Sequence, residues 1–444
     1  MDIGLPDPDE IYKYESVLSQ FIIQTNEGKV TDELLHQLHS NRHYLMHFPK
    51  DRIQVVLESN FIKALFSYDK DYEHINIILD IIASLIYDQS LYFPSLIENG
   101  LINLFTQSPS WIEYFVTTGK QLQTISILTI AKLITISFVD YVDQIISHPK
   151  FMNLLLILMK KPQQPFDWEI QKYILSIETY YHIILHEPSY INKYYRILYP
   201  SLEYSFNSTI DKVKETTPLI IQLLKRFFVE ADFIECIGID TNKLTFILSV
   251  ITNGNDKEKN SILDLLIEMS SWPQISSLLL KLDFINFCID FSHNNQEFSN
   301  LLIDVVSNMM SHPDLIDHIL NIDGFVDYLV DSVLNGSIKV SMSCCLCISW
   351  IIYFKDLDYI DKVVSDDVFE TLSDYLTENS EKYVKIMLAA LERVLNKESM
   401  GGRKRFHQLL SDETVYDQIH SYFDSPDEEL SFTASNILKM LDAQ

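Results

Sequence analysis

The sequence predicts an all-α protein, a right-handed superhelix made by stacking about nine or ten similar helical units. Three observations predict it: a recurring five-residue block, the spacing of that block, and the scarcity of residues that break helices. The block is two apolar residues, a polar one, a variable one and a further apolar one. It stands as Phe61-Ile62-Lys63-Ala64-Leu65, Leu101-Ile102-Asn103-Leu104-Phe105 and Phe151-Met152-Asn153-Leu154-Leu155. It returns as Leu244-Thr245-Phe246-Ile247-Leu248, Phe284-Ile285-Asn286-Phe287-Cys288 and Phe325-Val326-Asp327-Tyr328-Leu329. Val368-Phe369-Glu370-Thr371-Leu372 and Val415-Tyr416-Asp417-Gln418-Ile419 complete the series. The first residues lie 40, 50, 93, 40, 41, 43 and 47 apart, and the gap of 93 spans two units with a weaker copy near Ile197-Leu198. Only 10 glycines and 14 prolines occur in 444 residues, as expected of helices joined by short turns.

A period of about 40–47 residues with helical patterning inside it marks an armadillo or HEAT solenoid. Three helices per unit, the first of them short, favour the armadillo type. Residues 1–52 form a helical cap, with helices expected at about 8–24 and 31–47. Ile11, Tyr14, Val17, Leu18, Phe21 and Ile22 fall at helical spacing and can cover the stacking face of the first unit. Residues 53–444 form the solenoid. In the unit that opens at Phe61, Asp69-Lys70-Asp71 makes a loop and residues 74–87 the long helix. Gly100 and Gly324 stand directly before a block, where a tight turn favours positive φ. Asn60, Lys150, Lys243, Asp283, Asp367 and Thr414 hold the equivalent place elsewhere. The polar third position of each block is expected to face solvent.

Apolar residues make up 47% of the chain, ample for a continuous core, and 34 basic against 62 acidic residues give a formal charge of −28. That field repels nucleic acid and anionic lipid and attracts basic partners. Five cysteines, three of them at Cys344, Cys345 and Cys347, make no disulfide framework and point to a reducing compartment. The N-terminus has no basic region followed by an apolar one, as a signal peptide would. The longest apolar stretch, residues 124–139, contains Lys132 and falls short of the roughly 20 residues a membrane span needs. A soluble, monomeric cytoplasmic or nuclear protein is expected, and the sequons at Asn207 and Asn335 carry no weight. No phosphate-cradling loop, Gly-x-Ser-x-Gly or His-Glu-x-x-His occurs, so no enzyme, cofactor or small-molecule substrate is expected.

Three stretches carry a family resemblance. Residues 81–105, IIASLIYDQSLYFPSLIENGLINLF, read as long helix, loop, short helix, glycine turn and block. Residues 303–329 repeat that order, with Asn308 sixteen positions before Gly324. Residues 387–395 (MLAALERVL), Gly401-Gly402 and residues 411–423 form the third. Together they resemble the importin-alpha family, adaptors that hold basic nuclear-localisation peptides in a concave groove. The resemblance covers roughly residues 53–440 as a spacing pattern. It implies a protein-binding adaptor with a role in nuclear import. The chain departs from the family in two places. Trp111, Trp168, Trp272 and Trp350 are followed four residues on by Phe115, Lys172, Ser276 and Phe354, so the family's Trp-x-x-x-Asn pairs are absent. The basic importin-beta-binding segment is missing as well, since residues 1–50 hold only Lys13, Lys29, Arg42 and Lys50.

Counting back from the turns places Asp80 with Ser84, Asp264 with Glu268, and Asp304 with Asn308 in the paired positions. On successive long helices such a ladder would pair its carboxylates with Lys or Arg and its amides with a peptide backbone. The bland alternative is a solvated face of an acidic protein. His36, His39, His43 and His47 share one helix face, a spacing compatible with zinc, but with no cysteine or second shell the expected role is polar cap residues. Cys344, Cys345 and Cys347 are expected as small buried hydrophobes, and Arg403-Lys404-Arg405 as an exposed loop. The leading expectation is an adaptor holding a basic extended peptide in an acidic groove. The alternative is an armadillo or HEAT scaffold, or chaperone co-factor, that binds a folded or helical partner.

Overall fold

The computed structural model describes residues 8–27, 29, 31–47, 61, 64–65, 72–86, 93–98, 101, 121–137, 142–146, 149–160, 162, 166–188, 191–230, 240–377 and 381–443. Among these residues every regular element is a helix and no strand occurs. Gly100, Trp111, Cys236, the loop at Asp69-Lys70-Asp71 and much of the first two blocks lie outside the described residues. Packing divides the chain into two compact units, Met1–Glu230 and Ala231–Gln444. The cap expected over residues 1–52 is part of the first, and the stretch 53–444 is shared between both.

The first unit opens with α1 (Pro8–Asn26), α2 (Asp32–Ser40) and a 3-10 turn (Arg42–His47), matching the two helices expected of the cap. Tyr14, Leu18 and Phe21 are buried, and the Phe21 ring meets Phe61 edge-on at 5.8 Å. Phe21 of α1 therefore packs on Phe61, the opening residue of the first block. Tyr14 donates to the Leu38 carbonyl (3.1 Å) and ties α1 to α2. There follow α3 (Tyr72–Ile86), α4 (Phe93–Glu98), α5 (Gln121–Ser137), α6 (Val142–Ile146), α7 (Pro149–Leu158) and α8 (Asp167–His186). The unit ends with α9 (Ile191–Asn207), α10 (Asp211–Lys214) and α11 (Thr217–Glu230). The long helices α3, α5, α8 and α11 pack in series. The weak block copy near Ile197-Leu198 now has a reason: α9 is one continuous helix with Pro200 inside it, where other units have a short helix, a turn and a block. Leu198, Ser201, Leu202 and Ser205 are buried in it, and the Ser201 hydroxyl donates to the Met159 carbonyl (2.8 Å).

The second unit opens with α12 (Thr241–Asn253) and α13 (Asp256–Ser270). Four triads of short, block-bearing and long helix follow. They are α14 (Pro273–Lys281), α15 (Phe284–Asn294) and α16 (Ser299–Met310), then α17 (Pro313–Leu320), α18 (Phe325–Asn335) and α19 (Ile338–Phe354). Next come α20 (Leu357–Val363), α21 (Asp366–Asp374) and α22 (Glu381–Gly401), then α23 (Arg405–Leu410), α24 (Glu413–His420) and α25 (Glu428–Asp442). Local chemistry explains the breaks. Asn255 and Glu258 form a reciprocal capping box at the start of α13, and Pro273 and Pro313 open α14 and α17. Gly324 takes φ 77° before its block, as expected, and Asp283 takes φ 58° in the equivalent turn. Lys243, Asp367 and Thr414 do not. They lie inside first turns capped by the side chains of Asp240, Ser365 and Asp412, which end the preceding loop without a left-handed residue.

Asn153, Asn286, Asp327, Glu370 and Asp417, the third positions of their blocks, are exposed, while Phe246 in the third position of the block at Leu244 is half-buried. Cys344, Cys345 and Cys347 are buried in α19, where burial pushes every thiol up, Cys345 to about 12. Such thiols are inert packing residues. Arg403 and Arg405 pair with Asp358, Asp361 and Asp366, so the basic cluster joins α23 to the preceding triad. The Lys397 ammonium donates to the carbonyls of Ile352 (2.7 Å), Tyr353 (2.9 Å) and Lys355 (2.6 Å), closing the C-terminal end of α19. Replacing Lys397 by Met keeps the stem but strips these carbonyls of their donor. Chemical denaturation should show a loss of about 1–3 kcal/mol.

Candidate functional site

Side chains that reach from one long helix to its neighbour set the register of the second unit. Asn308 of α16 donates its amide to the Ile267 carbonyl of α13 (2.7 Å). The Trp350 indole of α19 donates to the Ser307 hydroxyl of α16 (3.2 Å). The Arg393 guanidinium of α22 lies 5.8 Å from the centre of the Tyr353 ring of α19. Asn436 of α25 donates to the Glu392 carboxylate of α22 (2.9 Å). These contacts line up Glu268, Asn308, Trp350, Arg393 and Asn436 along one face. One helical turn earlier, the same face carries Asp264, Asp304, Leu346, Ala389 and Phe432.

Four of the six residues expected at a binding ladder thus lie on adjacent helices, α13 and α16. Asp264 is exposed and Glu268, Asp304 and Asn308 are half-buried. Asp304 departs from the solvent-facing role assumed for it, because its Oδ2 accepts the Tyr383 hydroxyl of α22 at 3.2 Å, two long helices away. Asn308 in turn is engaged with Ile267. Asp80 and Ser84 belong to α3 of the first unit. Asp80 is only 8% exposed, with Oδ2 2.9 Å from His39 Nε2, and the Ser84 hydroxyl donates to the Asp80 carbonyl at 2.9 Å. His74 Nε2 meets Asp32 Oδ1 at 3.2 Å. Among the four spaced histidines, His39 therefore helps to join α2 to α3. Among the described residues no three His, Cys, Asp or Glu side chains converge as metal ligands do.

Sequence reasoning missed the aromatic centre of this face. Trp350, Tyr353 and Phe354 cluster at the end of α19, with the Trp350 and Phe354 rings 5.9 Å apart and tilted by only 21°. The spacing Trp350-x-x-x-Phe354 carried the signal, but the search for a Trp-x-x-x-Asn pair passed over it. Trp350 stands in the row of Asn308, so an indole occupies an amide's place. Phe432, 68% exposed, ends the other row. The face is acidic at α13, aromatic at α19 and basic at Arg393.

No protein-family model and no curated protein matches this sequence. Solved structures do resemble it. An engineered protein matches at 12% identity over 96% of this chain and 99% of its own, with a TM-score of 0.65. A structure from work on a phosphorylation switch that controls the interaction between cadherin and beta-catenin matches at 8% identity, covering 97% of this chain and 96% of its own, with a TM-score of 0.61. A designed armadillo repeat protein in complex with the peptide (KR)4 covers 55% of this chain and 99% of its own at 14% identity, with a TM-score of 0.39. The chain is an armadillo-type α-solenoid. The repeated triads show it, and the likeness to the first two structures extends the fold over most of the chain.

Asn308→Ala removes the donor that meets Ile267, and thermal unfolding should show a loss of about 1–2 kcal/mol.

Proposed function

We propose that this chain is a non-enzymatic protein-binding scaffold whose second unit takes an extended, basic peptide segment across its long helices. The observation that carries this is the register: Asp264, Glu268, Asn308 and Trp350 stand in two rows on three consecutive packed helices. A lysine or arginine of the peptide pairs with Asp264 and Glu268, while an adjoining stem or apolar side chain lies on Trp350, Tyr353 and Phe354. The formal charge of −28 favours the encounter with a basic partner. The solved structure that concerns cadherin and beta-catenin comes from a protein–protein interaction, which agrees with a binding role. In its finer form the proposal is an importin-alpha-like adaptor of the cytoplasm and nucleus.

Because exposed ion pairs contribute only about 0–1 kcal/mol each, binding should be weak and salt-sensitive. Fluorescence anisotropy with a lysine-rich nuclear-localisation peptide measures it. Raising the salt to about 0.5 M should release most of the peptide, since the Debye length falls to a few ångströms. The double variant D264N/E268Q should weaken binding several-fold, and Trp350→Ala should cost a further ~0.5–2 kcal/mol. Affinity unchanged in both variants would sink the reading.

A further inference from the structure

The second unit contains three arginines, Arg393, Arg403 and Arg405. Arg403 and Arg405 pair with Asp358, Asp361 and Asp366. Arg393 of α22 is exposed, and no carboxylate pairs with it among the described residues. Its guanidinium lies instead 5.8 Å from the centre of the Tyr353 ring on α19. In a chain of 62 acidic and 34 basic residues, an arginine set on a ring and left without an acid is an exception. The ring attracts the charge but takes none of the guanidinium N–H donors, whose planar fork fits a carboxylate bidentately. Glu392, next to it in sequence, is engaged elsewhere and accepts the Asn436 amide at 2.9 Å. One turn on, Lys397 donates to the carbonyls that end α19. Burial first and the Arg393 charge second lower its ammonium to about 8, against the pull of Asp356. A carboxylate seated on Arg393 relieves that repulsion.

Beside Arg393 stand the rings of Trp350 and Phe354, 5.9 Å apart and nearly parallel, with Tyr353 edge-on to both. The two adjacent helices therefore favour different groups, α19 an apolar side chain and α22 a carboxylate. Packed helices lie about 8–10 Å apart, a step that an extended chain crosses in about two or three residues. We infer that the segment held across the second unit carries an acidic residue two or three places beyond its central apolar one, and that Arg393 recognises this acid. The ligand thus has a polarity: basic at α13, apolar at α19 and acidic at α22. That polarity rests on the proposed function of the same face and narrows its ligand. A segment that is basic throughout meets Arg393 with repulsion, so its far end is not held. Arg393 is accordingly the residue that distinguishes one basic segment from another.

The test uses the full chain and two fluorescein-labelled peptides. Each has a lysine pair near one end and a leucine about six residues further on, the span of two helix steps. One peptide has glutamates at the second and third places beyond the leucine, and the other has lysines there. Each is made in both sequence orders, because the contacts specify spacing and not chain direction. Anisotropy should show the glutamate peptide binding about threefold or more tightly than its lysine counterpart. Arg393→Glu should reverse that preference, and circular dichroism should show the variant folded, since the position is exposed. A reversal is a coupling between two named charges, which a general loss of structure does not produce. D264N/E268Q should weaken both peptides alike and leave their ratio unchanged. If it weakens neither while the ratio persists, the acidic end of the proposed function fails and the role of Arg393 stands. Equal affinity of the two peptides for the unaltered chain, or a glutamate preference that survives Arg393→Glu, overturns the role of Arg393 alone. Absence of binding by every peptide overturns both.

Discussion

A helix leaves its last four carbonyls without partners inside itself, and in a stack of short helices every repeat creates several such ends. In this chain, side chains of a following repeat meet many of them. Asn308 meets Ile267, His312 meets Ser270, and His186 meets Thr135. Lys397 closes the end of α19, Arg405 meets Val364, and Tyr422 meets Leu376. Each contact spans about one repeat along the chain, so the same bond that satisfies a carbonyl also fixes how one unit sits on the previous one. A buried carbonyl without a donor costs about 1–3 kcal/mol, which makes a slipped register expensive.

This constraint decides what the surface has left to offer. On the second unit's ladder, Asn308 and Asn436 each donate to a neighbouring long helix, and Asp304 holds Tyr383. Asp264, Arg393 and Phe432 are the exposed side chains of this face, and the rings around Trp350 are half-buried. In the first unit the Tyr181–Gln222 bond plays the same bridging part, and a groove opens beside it.

Several residues that look chemical serve packing. The thiols of Cys344, Cys345 and Cys347 are held protonated by burial within α19. His39 and His74 face Asp80 and Asp32 between α2 and α3. Arg403 and Arg405 bind Asp358, Asp361 and Asp366 between neighbouring triads. For the histidines and arginines the partner lies about 40 residues away, one repeat length, a distance at which a linear motif search sees only half of the pair.

The sequence by itself determined the fold class, because burial recurs with the helical period and the polar residues of the pattern must remain wet. Phe21, Phe151 and Phe284 are buried where the pattern put them, and Gly324 takes the left-handed turn. Its reach ended where the partner lies in the next repeat. The tertiary structure alone decided that Asp80 is buried beside His39, that Asp304 accepts from Tyr383, and that Trp350 stands in line with Asn308. It also decided that α9 merges two helices into one. These facts depend on the offset between neighbouring long helices, which is set by contacts between side chains about 40 residues apart and leaves no trace in the spacing within a single helix.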